Sequence, residues 1–230
     1  MTNHIAPSIL AFLADIKANN SKTWFDANRG RYDAAKAVFV DFVQQMIASV
    51  VAIDSAVEPQ EAAKCVYRIN RDVRFSPDKS PYKRHFAAFV APGGRKSPLP
   101  GYYLHIQPGE SFFCSGNCCL APQLLKRLRT EISNFPEELH EIVTNPDFQK
   151  RLQLSDDEKL KSLPRGFSIE PQYAEYLKHK NLNAMVRYSD AELTAPDFAD
   201  RLAEDMRLAQ PLNAFFLRAL QTEPEDDVTL

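Results

Sequence analysis

The N-terminal third of the chain carries hydrophobic residues at steps of three and four, which is the spacing of a helix with one apolar face. A first short helix is predicted over residues 9–16, and a second begins at Trp24 and Phe25. Beyond Gly30 the apolar stripe continues through Tyr32, Ala35, Phe39, Phe42, Val43, Met46 and Val50. We expect this stripe to face the core of the protein.

The hydrophobic period changes to two after residue 65, and this period indicates strands. Over 66–75 the odd positions are mostly apolar and the even positions from 68 onward are polar, so a strand with one polar face is predicted there. Near-alternation predicts further strands at 86–90, 102–107, 111–114 and 182–188. Pro108 and Gly109 are typical of a hairpin turn. Because short turns join antiparallel neighbours, we expect an antiparallel sheet.

Helical spacing returns after Pro122, and a last helix is predicted from about Pro196, with a bend at Pro211. Helices, then a meander of strands, then helices again predict the α+β class, with an antiparallel sheet of about four to five strands flanked by N-terminal and C-terminal helices. We expect a single domain over 1–222. The acidic tail at 223–230 is expected to be disordered.

Charge is distributed unevenly along the chain. The net charge of −2 gives no reason to expect polyanion binding by the protein as a whole. Between residues 64 and 96, however, nine Lys or Arg face two Asp, a balance of +7. The rest of the chain has 19 basic and 28 acidic residues, a balance of −9. We therefore expect one basic patch on an acidic body.

The segment 68–83 combines these charges with two prolines. Arginine holds phosphate or carboxylate through two parallel hydrogen bonds, lysine adds a point charge, and Pro77 and Pro81 restrict the loop. We therefore predict that this segment binds a phosphate-bearing or other anionic ligand, such as a small molecule or nucleotide. The candidate ligand-binding residues are Arg68, Asn70, Arg71, Asp72, Arg74, Asp78, Lys79, Tyr82 and Lys83.

Two other interpretations of the same segment remain open: a structural role without a ligand, and binding of a nucleic acid. Asp72 and Asp78 could neutralise the arginines, which would make the motif a structural ion-pair network in a scaffold or interaction protein. Tyr67, Phe75 and Tyr82 could stack on the bases of a nucleic acid. The acidic net charge and the lack of a recognisable nucleic-acid motif make this partner less favoured.

Catalysis and metal binding have weaker support. Candidate acids and bases for hydrolysis or transfer are Asp72, Asp78, Tyr82 and His85, with a divalent metal between the two aspartates. The spacing typical of metal-dependent nucleases is missing, so no catalytic residue is assigned. Cys114, Cys118 and Cys119 lack the usual zinc spacing, and His105 is expected to be structural. We predict no metal and no cofactor, and leave the role of these cysteines open.

The beginning of the chain lacks a basic leader and a cleavage-like site, so no secretory signal is expected. No uninterrupted apolar run approaches the roughly 18 residues of a membrane span. The cysteines are then expected to stay reduced. These observations predict a cytoplasmic protein without a membrane partner.

Several short words of the sequence resemble one protein family, in the same order. They are Phe12-Leu13, Asn19-Asn20-x-Lys22-x-Trp24-Phe25-x-x-Asn28-Arg29-x-x-Tyr32, the segment 67–83, Gly101-Tyr102-Tyr103-Leu104 and Leu163-Pro164-Arg165-Gly166-Phe167. Over residues 9–220 the chain is similar to the family known as domain of unknown function 2461. The resemblance implies an α+β domain and no known activity, so no catalytic role is carried over. The stretch 114–122 departs from the glycine-rich turn that is usual in the family.

Overall fold

The computed structural model describes residues 3–117, 119–155 and 157–221. An antiparallel, open sheet has the strand order β1-β2-β3-β5-β4, with helices before and after the meander, so the predicted α+β class is confirmed. The strands are β1 (Phe86–Val90), β2 (Gly101–Ile106), β3 (Ser111–Asn117), β4 (Gln153–Leu154) and β5 (Leu182–Tyr188). The helices are α1 (Pro7–Ala18), α2 (Lys22–Ala27), α3 (Arg29–Ile53), α4 (Ala62–Cys65), α5 (Pro122–Asn134), α6 (Pro136–Thr144), α7 (Pro146–Arg151), α8 (Ala174–Lys178), α9 (Asp190–Thr194) and α10 (Phe198–Gln221).

The contacts within the chain define two compact units. Unit 1 comprises Met1–Ser97, Tyr102–Cys114 and Val186–Arg207, and unit 2 comprises Pro98–Gly101, Ser115–Met185 and Leu208–Leu230. A single domain over 1–222 stays a prediction. The acidic tail at 223–230 lies outside the described residues.

The predicted N-terminal helices are confirmed in unit 1. α1 has Pro7 in its first turn, where the missing N–H of proline would have no helical partner in any case. The predicted stripe of α1 is buried at Ile9, Phe12, Leu13 and Ile16. Ser21 caps α2, because its side-chain oxygen accepts a hydrogen bond from the Trp24 N–H at 3.2 Å. Local sequence chemistry therefore sets where these helices begin.

Aromatic rings fill the core of unit 1 where α3 contacts α1 and β1. Phe86 of β1 lies 6.1 Å from Phe12 and 5.4 Å from Phe39, measured between ring centroids. The buried hydroxyl of Tyr102 donates a hydrogen bond to the buried carboxylate of Asp54 at 2.8 Å. This bond supplies a partner for a carboxylate that burial would otherwise destabilise.

α3 is long and apolar enough to cross a membrane by length and composition alone. Polar residues interrupt the apolar window of this helix, so the sequence shows no continuous apolar run of that length. One third of that window, 33%, is buried inside the protein, and the helix contacts α1, α4 and β1. The absence of a membrane partner and the cytoplasmic location both stay predictions.

The predicted strand at 66–75 is wrong. This fully described stretch makes isolated bridges, which pair Val66 with Ala88 and Asn70 with Tyr82. Backbone hydrogen bonds join position 67 to position 87 and position 69 to position 83. Between these two bonds the first segment advances by two residues and its partner segment by four. A regular ladder cannot form across this mismatch. Pro81 also has no N–H to continue the pairing toward the loop.

In unit 2, β4 pairs antiparallel with β5, and β5 confirms the predicted late strand. Arg218 of α10 forms ion pairs with Glu138 of α6, at 2.7 Å, and with Glu131 of α5. A groove of about 450 Å³ is lined by Val143, Thr144, Phe148, Gln149, Leu152, Gln153, Leu154 and Tyr176. Because this lining carries no charged side chain, the anion hypothesis concerns a different surface.

Candidate anion-binding site

Arg71 holds the loop at 72–80 closed through its guanidinium group. Its Nη1 donates to Asp78 Oδ2 at 2.7 Å and to the Ser80 carbonyl at 3.0 Å, and its Nη2 donates to Ser76 Oγ at 3.2 Å. The hydroxyl of Ser80 is a further partner. We call Arg71, Ser76, Asp78 and Ser80 the Arg71 clamp. The Arg71 side chain is only 23% exposed, and these bonds join it to the loop.

Asp78 is the anionic centre of the Arg71 clamp. Its pKa is lowered to about 2, chiefly because the Ser80 N–H donates to its carboxylate at 2.8 Å, and further because of the Ser80 hydroxyl and the Arg71 guanidinium. The Arg84 Nη2 lies 3.6 Å from the same carboxylate. Asp78 is therefore ionised at neutral pH and surrounded by donors of its own chain.

The other charged side chains of the loop also form hydrogen bonds to groups of the same loop. Arg74 contacts Asp72 through two parallel bonds, Nε to Oδ1 at 3.0 Å and Nη2 to Oδ2 at 2.7 Å, and this pairing lowers the pKa of Asp72. Lys79 Nζ donates to the Val73 carbonyl at 3.0 Å. Phe75 is 94% exposed. Arg71 and Arg74 thus pair with carboxylates of the loop, and Lys79 bonds to a carbonyl of the loop.

Tyr82 lies in the core, at 6% exposure, and its ring stacks on Phe25 with the centroids 4.1 Å apart. The Asn20 side chain pairs with the Tyr82 backbone in both directions, at 2.9 and 3.0 Å. Asn70 bridges to Tyr82 from the other side. This placement removes Tyr82 from any surface that a ligand could reach.

Lys83 and Arg95 meet at the ring of Tyr67. The Lys83 Nζ lies 5.3 Å from the ring centroid and the Arg95 Cζ lies 4.8 Å from it. The Arg95 Nε donates to the Lys64 carbonyl at 2.9 Å, which fixes the direction of the guanidinium. We call Arg68, Lys83 and Arg95 the cation cluster. Within the described part of the chain, none of the three forms an ion pair with Asp or Glu.

The cation cluster concentrates like charges. The pKa of Lys83 is lowered, first because burial disfavours the ammonium ion, and then because the charges of Arg68 and Arg95 oppose it. An anion bound here would offset the second effect, since its negative charge would stabilise the ammonium ion of Lys83 beside Arg68 and Arg95. Arg68 and Lys83 were predicted as site residues, whereas Arg95 was not, because 27 positions separate it from Arg68 in the sequence.

A row of rings lies beside the cation cluster. Ring centroids are 4.1 Å apart for His85 and His105, 4.7 Å for His105 and Phe112, and 5.8 Å for Tyr103 and Phe112. We call these four residues the ring row. Each is partly exposed. Tyr103 also lies 6.1 Å from Tyr67, so the ring row and the cation cluster are contiguous.

The two histidines of the ring row are neutral at neutral pH. Burial, then the adjacent His105 and the charge of Lys83, lower the pKa of His85 to about 3. Burial also lowers the pKa of His105, whose Nδ1 lies 3.1 Å from the Tyr103 hydroxyl and whose Nε2 lies 3.4 Å from Gln107 Oε1. Sequence reasoning treated His105 as structural. Positions 103 and 105 share one face of β2, and Gln107 follows directly after the strand.

The comparison with protein families decides the affiliation of the chain. The model of the family described as "Conserved hypothetical protein (DUF2461)" matches residues 8–215. The chain belongs to DUF2461. The resemblance recognised from the short sequence words is thereby confirmed. A search of curated proteins and a search of solved structures returned no match. Since the DUF2461 description names no activity, residue roles depend on the geometry given above.

Metal-binding groups are dispersed in the part of this DUF2461 chain that the structure describes, where no three His, Cys, Asp or Glu side chains cluster. Asp72 and Asp78, the pair considered for a divalent metal, bond separately to arginines. Cys65 is a buried thiol whose pKa is raised by burial, Cys114 is part-buried and Cys119 is exposed. Cys118, the third cysteine of that stretch, lies outside the described residues.

Proposed function

We propose that this protein binds a small phosphate-bearing anion at the cation cluster of Arg68, Lys83 and Arg95. One observation carries the proposal. Lys83 and Arg95 approach a single ring, that of Tyr67, and neither forms an ion pair with Asp or Glu among the described residues. The neighbouring cations Arg71 and Arg74 are, by contrast, already paired.

The chemistry of the cluster suits phosphate. Two guanidinium groups can each present paired N–H donors to phosphate oxygens, and the lysine adds a third positive charge. Partial burial of Lys83 reduces the screening of that charge by water. The Arg71 clamp fixes the adjoining loop before any ligand arrives, so little ordering is required on binding.

For the loop at 72–80 we propose a structural role. Its ion pairs and its lysine–carbonyl bond make it a self-contained element that shapes the edge of the site. The scaffold interpretation of the motif therefore applies to Arg71, Asp72, Arg74, Asp78 and Lys79, and the binding interpretation applies to Arg68, Lys83 and Arg95.

Thermal unfolding in the presence of inorganic phosphate and pyrophosphate tests the proposal. An anion at about 100 times its dissociation constant adds about 2.7 kcal/mol of stability, which corresponds to a rise of roughly 5–10 °C in melting temperature for a chain of this size. Isothermal titration calorimetry then gives the dissociation constant directly.

Charge-removing variants locate the anion. The double variant Lys83→Gln/Arg95→Gln should lose phosphate and pyrophosphate binding and remain folded. Arg74→Gln/Lys79→Gln is the matched control, because it also removes two positive charges, both of which are bonded inside the loop, and it should bind like the natural protein. Unchanged affinity in the double variant would show that the anion binds elsewhere. An equal loss of affinity in the control would show that only the net charge of the protein attracts the anion.

A further inference from the structure

The cation cluster continues without a gap into the ring row, and this continuity indicates what the rest of the ligand is. We infer that the ligand is a nucleoside phosphate, with its phosphate on the cation cluster and its planar base against the ring row. The inference depends on the proposed anion site and goes further by naming the class of ligand.

Tyr67 and Tyr103 connect the two parts of the site. The Lys83 Nζ lies 5.3 Å from the Tyr67 centroid, Tyr67 lies 6.1 Å from Tyr103, and Tyr103 lies 5.8 Å from Phe112. A ligand bound through phosphate at Lys83 therefore has aromatic surface next to it. Flat rings stack favourably on partly exposed aromatic side chains, and every nucleobase offers such a face.

The charges around the ring row give the ligand a direction. The charge of Lys83 lowers the pKa of both His85 and His105, whereas the acidic Glu110 acts on His105 and raises its pKa. A phosphate is therefore favoured at the Lys83 end and disfavoured toward Glu110. Both ring nitrogens of His105 already have partners, the Tyr103 hydroxyl and Gln107 Oε1, so the base is expected to bind here by stacking rather than through the imidazole.

A single nucleotide fits this arrangement better than a strand of nucleic acid. A strand requires cations spaced along a groove, one after another, to follow successive phosphates. Here Lys83 and Arg95 converge on one ring, and the arginines that could extend a track are bonded inside the loop. The net charge of −2 also opposes a long polyanion.

Calorimetric titration with four probes tests the inference: inorganic phosphate, ribose 5-phosphate, adenosine and adenosine monophosphate. We expect adenosine monophosphate to bind at least tenfold more tightly than ribose 5-phosphate, because only the former carries a base to stack on the ring row. In proton NMR, adenosine monophosphate should also shift the ring signals of Phe112 and His105, and ribose 5-phosphate should not.

Phe112→Leu removes the ring and keeps apolar bulk, so the fold should persist, which thermal unfolding checks. This variant should bring the affinity for adenosine monophosphate down to that for ribose 5-phosphate and leave phosphate binding unchanged. Phe75→Leu is the matched control, since Phe75 is 94% exposed on the loop and should make no difference. If Phe112→Leu does not fold, the NMR shifts in the natural protein decide the question.

The outcomes separate the inference from the proposed function. Equal affinity for adenosine monophosphate and ribose 5-phosphate overturns the nucleoside inference and leaves the anion site standing. No binding of any phosphate probe overturns both. Tighter binding of a short single-stranded oligonucleotide, by tenfold or more over adenosine monophosphate and with a steep dependence on salt, would instead assign the surface to nucleic acid.

Discussion

The dependence of the free energy of unfolding on pH should show how strongly the folded protein disfavours protonation of His85. This imidazole is part-buried, its centroid is 4.1 Å from that of His105, and the charge of Lys83 acts on it. Burial is the main cause that lowers its pKa to about 3, from an ordinary value of 6.5. In the folded protein His85 should therefore stay neutral across the range in which a free histidine becomes protonated.

The sign of the effect on stability follows from proton binding. Between pH 6.5 and pH 3 the unfolded chain binds a proton at His85 and the folded chain does not. Stability should therefore fall as the pH falls through this window, and the penalty should be absent above it. A difference of one bound proton between the unfolded and folded states changes the free energy of unfolding by about 1.4 kcal/mol per pH unit, or by about 2 kcal/mol from pH 6.5 to pH 5. Because His85 is only partly buried, we halve this figure to about 1 kcal/mol.

Urea unfolding of the natural protein and of His85→Gln, at pH values from 8 to 5, measures the difference. Glutamine does not titrate and keeps a hydrogen-bonding group, so the variant should lose about 1 kcal/mol less stability than the natural protein between pH 6.5 and pH 5. Stability at pH 8 serves as the internal reference. Parallel pH curves for the two proteins, or an NMR titration of His85 near pH 6.5, would refute the reasoning.

Four further results are expected. Phosphate at the cation cluster should raise the pKa of His85, because it offsets the charge of Lys83, and an NMR titration with and without phosphate measures this shift. Arg71→Met should lower the melting temperature by roughly 2–4 °C, since it opens the loop, and should leave phosphate affinity unchanged in calorimetry. Tyr102→Phe should cost about 1–3 kcal/mol in urea unfolding, because a buried carboxylate loses a donor at 2.8 Å. Gly116→Ala should cost more than about 2 kcal/mol, because φ is +126° and the new Cβ would lie 2.3 Å from a backbone oxygen.

Each of these expectations has a result that contradicts it. If phosphate does not change the pKa of His85, the anion does not bind close enough to Lys83 and His85 to act on this imidazole. Lost phosphate affinity in Arg71→Met would return that arginine to the binding site, and an unchanged Tyr102→Phe would mean that water replaces the hydroxyl. Gly109→Ala is the control for Gly116→Ala, because its φ is +74° but open space surrounds it. It should cost only about 1–2 kcal/mol.

The sequence by itself predicted the elements whose signal is local. The stripes of α1 and α3 and the alternation of β1, β2, β3 and β5 are visible because a helix or strand repeats its buried face at short, fixed intervals. Pro7 in the first turn of α1 and the Ser21 cap of α2 act over equally short stretches of the chain. The family words were also sufficient for the affiliation with DUF2461. The basic segment at 68–83 was recognised as the unusual part of the chain from charge alone.

Only the tertiary structure decided which of those charges are available. Arg71 and Arg68 look alike in the sequence, yet Arg71 is bonded to Asp78, whereas the charge of Arg68 acts on Lys83. The alternation at 66–75 predicted a strand, but the offset between its partners prevents a ladder. The ring row likewise depends on strand register, which places residues distant in the sequence side by side. Periodicity reports which face of an element is buried, whereas pairing between charges and rings depends on contacts across elements that no local pattern encodes.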